Sequence, residues 1–236
     1  MKLSIIIPVY NEEKTLPTIL KRIESINLGC DKELIFVDDG SKDGSPKLLE
    51  EYVRRGYRTV FMPKNMGKGM AIRSGFQEAT GDIVLVQDAD LEYNPKDYSI
   101  LIQPILDGDA DVVYGSRFIT VFPRRVFYFN HYVANNLLTL FSNLLTGLNL
   151  SDMETGYKVF TQKAIKEILP CLRSKRFGIE PELTAQAAKH KFRVYEIGIS
   201  YHGRTYEEGK KIGWRDGLAA IFHIIRFNLF TRCRKF

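Results

Sequence analysis

Closely spaced cysteine pairs are missing from this sequence. Cys30, Cys171 and Cys233 are scattered, with no C-x-x-C spacing. That argues against a zinc site or a disulfide framework and suits a reducing cytosol. Long hydrophobic runs are missing too: no window reaches the roughly 18 apolar residues that suggest a membrane span. Leu3 to Val9 is apolar, but Pro8 and Asn11-Glu12-Glu13 end it without a small-residue cleavage site, so no signal peptide is expected. No G-x-G-x-x-G follows the first apolar run, which removes a dinucleotide-binding fingerprint. Asn65-Met66-Gly67-Lys68-Gly69 contains Gly-Lys but lacks the preceding spaced glycine of a P-loop. Basic residues are not clustered with aromatics and no nucleic-acid motif is present, so nucleic acid is not expected as a partner. Repeats and low-complexity tracts are absent.

What is present is an ordinary globular composition with a basic balance. The 236 residues are 44% hydrophobic and carry a net charge of +6. Anionic partners such as nucleotides or acidic lipid fit that charge. From Leu3 to about Ser116, short β-branched runs alternate with segments of helical spacing. Strands are expected at 3–9, 33–37, 57–62, 82–87 and 110–114, and helices at 12–26, 45–55, 67–79 and 95–106. Such alternation implies βαβ units and a mostly parallel sheet with both faces covered.

After Ser116 the pattern changes. Segment 126–148 has a wide apolar face at helical spacing. Asp152 to Phe160 reads as a polar loop with an apolar end. Helices are expected at 163–170, 180–190 and 214–230, and a strand at 192–199.

Three polar clusters stand at the ends of three expected strands: Pro8-Val9-Tyr10-Asn11-Glu12, Val37-Asp38-Asp39-Gly40-Ser41 and Gln87-Asp88-Ala89-Asp90. In a parallel sheet these ends share one edge, where ligands gather. Carboxylates brought together repel unless a cation or polar ligand compensates. A lone D-x-D is equally a solvated turn; convergence with the other clusters favours a site. Its hard oxygens suit Mg2+ or Mn2+ completed by phosphates.

In their order and spacing, Ser4 to Glu12, Val37 to Ser41, Asn65 to Gly69 and Asp88-Ala89-Asp90 resemble the family 2 glycosyltransferases. Gly115-Ser116-Arg117-Phe118 and the stretch from His202-Gly203-Arg204 to Gly209-Lys210-Lys211 are similar to the polyprenyl-phosphate (dolichol-phosphate) mannose and glucose synthases. The resemblance runs to about Lys211. It implies a GT-A fold, a Rossmann-like mixed sheet flanked by helices. That domain would span 1–213, with an acceptor-side amphipathic segment at 123–148. A basic amphipathic helix would follow at 214–236. It also implies a nucleotide-sugar donor, GDP-mannose or UDP-glucose, and a divalent metal at Asp88 and Asp90. Pro8, Tyr10 and Glu12 would line the nucleoside pocket, Asp39 would contact the nucleoside, and Lys68 would lie near the donor. Arg117 and Arg204 would bind phosphate, and Lys210 belongs to the late substrate-binding stretch. Each also has a plain reading: Pro8 ends a strand, Lys68 is solvated, and the arginines form surface ion pairs.

The acceptor decides the remaining chemistry. A sugar hydroxyl needs a general base, for which Asp152 and Glu154 are the candidates. A lipid monophosphate is already largely dianionic near neutrality, with a second pKa of about 6, and needs a cationic cradle instead. Arg117, Arg124, Arg125 and Arg204 are candidates for that cradle. The expectation is inverting transfer of a hexose to a polyprenyl or dolichyl phosphate. A saccharide acceptor, or a non-catalytic membrane scaffold, is the alternative. Many members of that group carry C-terminal transmembrane helices and this sequence has none. Contact is therefore expected to be peripheral, on the cytoplasmic face, through 126–148 and 218–230 with Arg232, Arg234 and Lys235. The alternative is that these faces pack on each other or across a homo-oligomer.

Overall fold

The computed structural model describes residues 1–119, 125–126, 128–203 and 214–231, with backbone alone at 214–216. The first half alternates as expected: β1 (Lys2–Val9), α1 (Leu16–Glu24), β2 (Asp31–Asp38), α2 (Ser45–Arg54), β3 (Arg58–Phe61), α3 (Lys68–Glu78), β4 (Ile83–Val86), α4 (Tyr98–Leu106) and β5 (Val112–Ser116). Then follow α5 (Phe129–Thr146), β6 (Lys158–Thr161), α6 (Gln162–Ile168), α7 (Ile179–Lys189), β7 (Val194–Gly198) and α8 (Trp214–Ile225), which runs on as a π-helical turn over Arg226–Phe230.

The strands form one sheet in the order β3-β2-β1-β4-β6-β5-β7. β1 pairs in parallel with both β2 and β4, so the chain builds outward to one side and then returns to the other. That reversal of winding between β1 and β4 is where open α/β sheets leave a crevice for ligands.

Alternation along β1 sorts the core. Leu3, Ile5, Ile7 and Val9 pack with Leu16, Ile19, Leu20 and Ile23 of α1, Leu49 and Tyr52 of α2, and Tyr98, Leu101 and Ile102 of α4. Ile6 faces the other way, with Ala71, Ile72 and Phe76 of α3 and with Ile165, Ile179 and Leu183 of α6 and α7. Both faces are covered, which is why the strands read as near-continuous apolar runs.

Three expectations need correction. The stretch 152–160 is not wholly loop, because Lys158–Thr161 is β6, antiparallel to both β4 and β5. At four residues, with Lys158 at its start, it offers too short a pattern to separate from a loop. The first helix begins at Leu16 rather than Glu12: Asn11 takes φ 57°, and Pro17 occupies the first turn of α1, where its missing N–H is harmless. Cys171 is disulfide-bonded and Cys30 is the free cysteine among the described residues; spacing along the chain does not report approach in space.

The wide apolar face of 126–148 belongs to α5. Thr139 and Ser142 are its buried residues, whereas Phe129, Val133, Leu137, Leu140 and Leu144 form an exposed stripe. α8 packs against α5 and α7 and buries Ala220, Ile224 and Phe227, yet leaves Leu218, Ile221, Phe222 and Leu229 exposed. The two helices thus pack on each other and still present apolar stripes outward. Among the described residues no helix is long and apolar enough to cross a membrane.

Candidate active site

The carboxyl ends of β1, β2 and β4 deliver the three polar clusters to one edge. Tyr10 is partly exposed beyond β1, and Pro8 pairs with Val37 inside the sheet. The Asn11 and Glu12 N–H groups donate to the Ser41 and Ser45 hydroxyls at 3.0 and 2.9 Å, joining the loops after β1 and β2. The Glu12 carboxylate accepts from Thr15 Oγ1 at 2.7 Å. Asp39 is buried and braces the turn before α3: it accepts from the Met66 and Gly67 N–H groups at 2.7 and 2.8 Å and from Asn65 Nδ2 at 3.0 Å. Burial nonetheless pushes its carboxyl above the usual range, against those donors and Arg176 nearby. Gly40 has φ +70°, and an added Cβ there would lie 2.5 Å from the Lys64 carbonyl carbon, so only glycine fits the β2 turn.

Asp88 and Asp90 follow β4. Gln87 sets their loop: its amide donates to the Asp88 carbonyl at 2.8 Å while its oxygen accepts from Tyr98 and Tyr157 at 2.7 and 2.6 Å. Asp90 accepts from the Glu92 N–H at 3.1 Å. Asp88 meets Lys68, whose Nζ lies 2.8 and 3.0 Å from its two oxygens and 3.0 Å from Glu180 at the start of α7. Burial works against the lysine charge, but the two carboxylates outweigh it and hold the ammonium well above the ordinary range. On the other side of Asp88 lies Gly156, where a Cβ would be 2.3 Å from Oδ2.

An antiparallel strand begins where its parallel neighbours end, so β6 brings residues 152–157 to this same edge. Asp152 is fully buried and holds Arg117 bidentately, at 2.6 and 2.7 Å, while accepting the Arg117 N–H at 3.0 Å. Glu196 of β7 fixes that loop by accepting the Ser151 and Asp152 N–H groups. Glu154 is half-buried, with Oε1 buried and unpartnered. Burial, then Glu180, push its carboxyl up, with Lys158 and Arg117 opposing. Lys158 is buried at the foot of the loop, donating to the Met153 and Thr155 carbonyls. α5 is tied to the loop as well: Thr139 Oγ1 accepts the Met153 N–H at 3.1 Å, and Asn143 exchanges hydrogen bonds with Leu150.

The fold therefore brings Asp39, Lys68, Asp88, Asp90, Arg117, Asp152 and Glu154 to one edge. Arg125 is exposed and bonds the Tyr201 and Gly203 carbonyls. That segment itself runs beside the Asp90 loop through a Tyr93–Tyr201 bridge and a His202–Glu92 hydrogen bond. Arg124, Arg204, Lys210, Arg232, Arg234 and Lys235 lie outside the described residues. Glu180, Lys158 and Glu196 were not legible as site residues. Glu180 reads as ordinary acidic residue at a helix N-terminus, Lys158 as the end of a loop and Glu196 as a strand residue.

The donor set fits a hard cation only in part. Among the described residues no group of three or more His, Cys, Asp or Glu side chains is arranged to hold a metal. Two carboxylates at a strand end, completed by donor phosphates, are nevertheless a usual arrangement for Mg2+ or Mn2+. Asp88 is engaged by Lys68 through both oxygens.

A sheet wound outward from β1, with D-x-D at the switch point and a reversed strand returning a charged loop to it, is the architecture of the GT-A glycosyltransferases. The chain belongs to glycosyl transferase family 2, which it matches over residues 4–169. It is 31% identical to the dolichyl-phosphate beta-glucosyltransferase ALG5D of Trichomonas vaginalis, with 99% of this chain and 77% of that protein covered. It is 32% identical to the undecaprenyl-phosphate 4-deoxy-4-formamido-L-arabinose transferase of Pseudomonas fluorescens, over 88% of this chain and 59% of that protein. The chain thus spans about three fifths of that bacterial relative's length. Glucosyl-3-phosphoglycerate synthase from Mycobacterium tuberculosis, solved with Mn2+, UDP and phosphoglyceric acid, superposes with TM-score 0.71 at 18% identity, covering 98% of this chain and 80% of that one. The same enzyme has been solved with Mg2+ and UDP.

Proposed function

We propose that this glycosyltransferase moves a hexose from a nucleotide sugar, GDP-mannose or UDP-glucose, to a polyprenyl or dolichyl phosphate, inverting the anomeric centre. The observation that carries this reading is the bonding of α5 to the 150–153 loop. A helix with an exposed apolar stripe is thereby fastened to the loop that holds Asp152 and Arg117. The relatives named for dolichyl and undecaprenyl phosphate support the same acceptor class.

Pro8, Tyr10, Glu12 and Asp39 frame the nucleoside end of the donor site, with Asp39 acting through the turn it braces. Lys68 brings a cation to the edge where the diphosphate leaves. Asp88 and Asp90, with the donor phosphates, would hold a divalent cation, which when bound would further neutralise the leaving group. The lipid phosphate is itself the nucleophile, so no general base is required. That agrees with Asp152 being occupied by Arg117 rather than standing open to a hydroxyl. Arg117, Arg125 and, outside the described residues, Arg124, Arg204 and Lys210 are the cations for the acceptor phosphate. Direct attack converts an α-linked donor into a β-linked product. The chain works peripherally, at the cytoplasmic face, through α5 and α8.

The test is a donor screen with a short polyprenyl phosphate in detergent, counting label carried into the organic phase. Transfer is expected with one of the two donors and with Mg2+ or Mn2+ present. Equal transfer to free sugars and to lipid phosphate would sink the assignment in favour of a saccharide acceptor.

A further inference from the structure

Both oxygens of Asp88 are engaged by Lys68, at 2.8 and 3.0 Å. Gly156 closes a further side, leaving no room even for a Cβ. A divalent cation at those oxygens would meet direct repulsion from the ammonium, so the two compete for Asp88. Lys68 also has a second partner in place. Glu180 lies 3.0 Å away through Oε1, and its Oε2 is buried without a partner. Buried acceptors without donors are uncommon in native structures and call for a reason. The lysine stem is long and flexible enough to change partners. Lys68 offsets Asp88 and Glu180, and Lys158 with Arg117 offsets Glu154, so the cluster is held together by its own cations.

Building on the donor-site reading above, we propose that Lys68 is a placeholder cation. It neutralises Asp88 while the donor site is empty. It moves wholly onto Glu180, filling that carboxylate's unused oxygen, when a divalent cation arrives with the donor diphosphate. Glu180 is then a positioning residue for metal capture, acting through Lys68.

The test is Mn2+ binding by electron paramagnetic resonance on the full chain, with and without UDP or GDP, each variant first checked for folding by circular dichroism. Lys68→Met removes the competitor and is expected to tighten Mn2+ binding without nucleotide by about fivefold or more. Glu180→Gln weakens the second resting place and is expected to loosen binding by a similar factor. Because its sign is opposite, it keeps the proposal testable if Lys68→Met does not fold. Lys158→Gln, which removes a cluster charge that does not touch Asp88, is expected to change affinity by less than about twofold, well under that coupling range. Equal affinity in wild type, Lys68→Met and Glu180→Gln overturns the exchange. So does a Lys158→Gln shift as large as that of Lys68→Met, which would make bulk charge the cause. Asp90→Asn separates the two levels: it should abolish Mn2+ binding even if the exchange fails. Saturable binding absent from wild type with either nucleotide would overturn the donor-site reading and the exchange with it.

Discussion

Asp90 and Asp152 are both carboxylates at the same sheet edge, yet their surroundings give them different roles. Asp90 is on a loop beyond a strand and contributes little to the core. Asp90→Ala is expected to abolish turnover while leaving the thermal melt near wild type. Near-normal activity of that variant in Mg2+ or Mn2+ would remove it from the site. Asp152 is wholly buried against Arg117. Removing one partner of a buried ion pair strands the other charge, at a typical loss of about 3–5 kcal/mol. Asp152→Asn is therefore expected to lower the urea-unfolding free energy by about 3 kcal/mol. Arg117→Met with Asp152→Leu should recover much of that stability but not the turnover. A stable Asp152→Asn would mean the pair contributes little to the fold.

At the scale of elements, the opposite edge of the sheet is fastened by one carboxylate. Glu33 of β2 accepts from Ser4 Oγ of β1 at 2.6 Å, from Lys2 Nζ at 2.9 Å and from the Thr80 N–H at 3.0 Å. Burial opposes its charge, but these donors outweigh it and bring the carboxyl down to about 2. A carboxyl depressed on folding stabilises the protein above its unfolded pKa of about 4.3 and loses that contribution as pH falls through the folded value. Glu33→Gln is expected to cost about 2 kcal/mol at pH 7. The gap to wild type should narrow between about pH 4 and pH 2. Urea midpoints at both ends of the range would show it, and a gap independent of pH would rule the linkage out.

At the scale of the whole molecule, α5 and α8 carry the proposal that the enzyme docks on a membrane. Their exposed stripes, with Leu144 74% and Leu137 61% accessible, suit the boundary of a bilayer better than water. Flotation with liposomes is expected to rise with anionic lipid and fall with salt. Leu137→Glu with Leu144→Glu should abolish it. Changing Arg232, Arg234 and Lys235 to Gln should weaken it, since each basic residue near such a surface adds about 1 kcal/mol. A chain that stays in the soluble fraction at low salt, as a stable dimer, would assign the stripes to self-association instead.

Local pattern alone determined the strand–helix alternation through Ser116, because β-branched runs and 3.6-residue spacing are imposed by burial on each element separately. It also determined that Asp39, Asp88 and Asp90 share an edge, because parallel strands must end together. β6 escaped it: four residues carry no readable period, and its reversed direction depends on which neighbours it joins. That direction is what carries Asp152 and Glu154 to the edge, so their neighbours were decided only by tertiary structure. The pairing of Asp152 with Arg117, and of Lys68 with both Asp88 and Glu180, joins residues 20 to more than 100 positions apart. Charge type is visible in a sequence, but which charges meet depends on how the elements pack. α5 shows the same division. Its apolar face was evident from spacing, whereas its exposure follows from α7 and α8 covering only part of the helix.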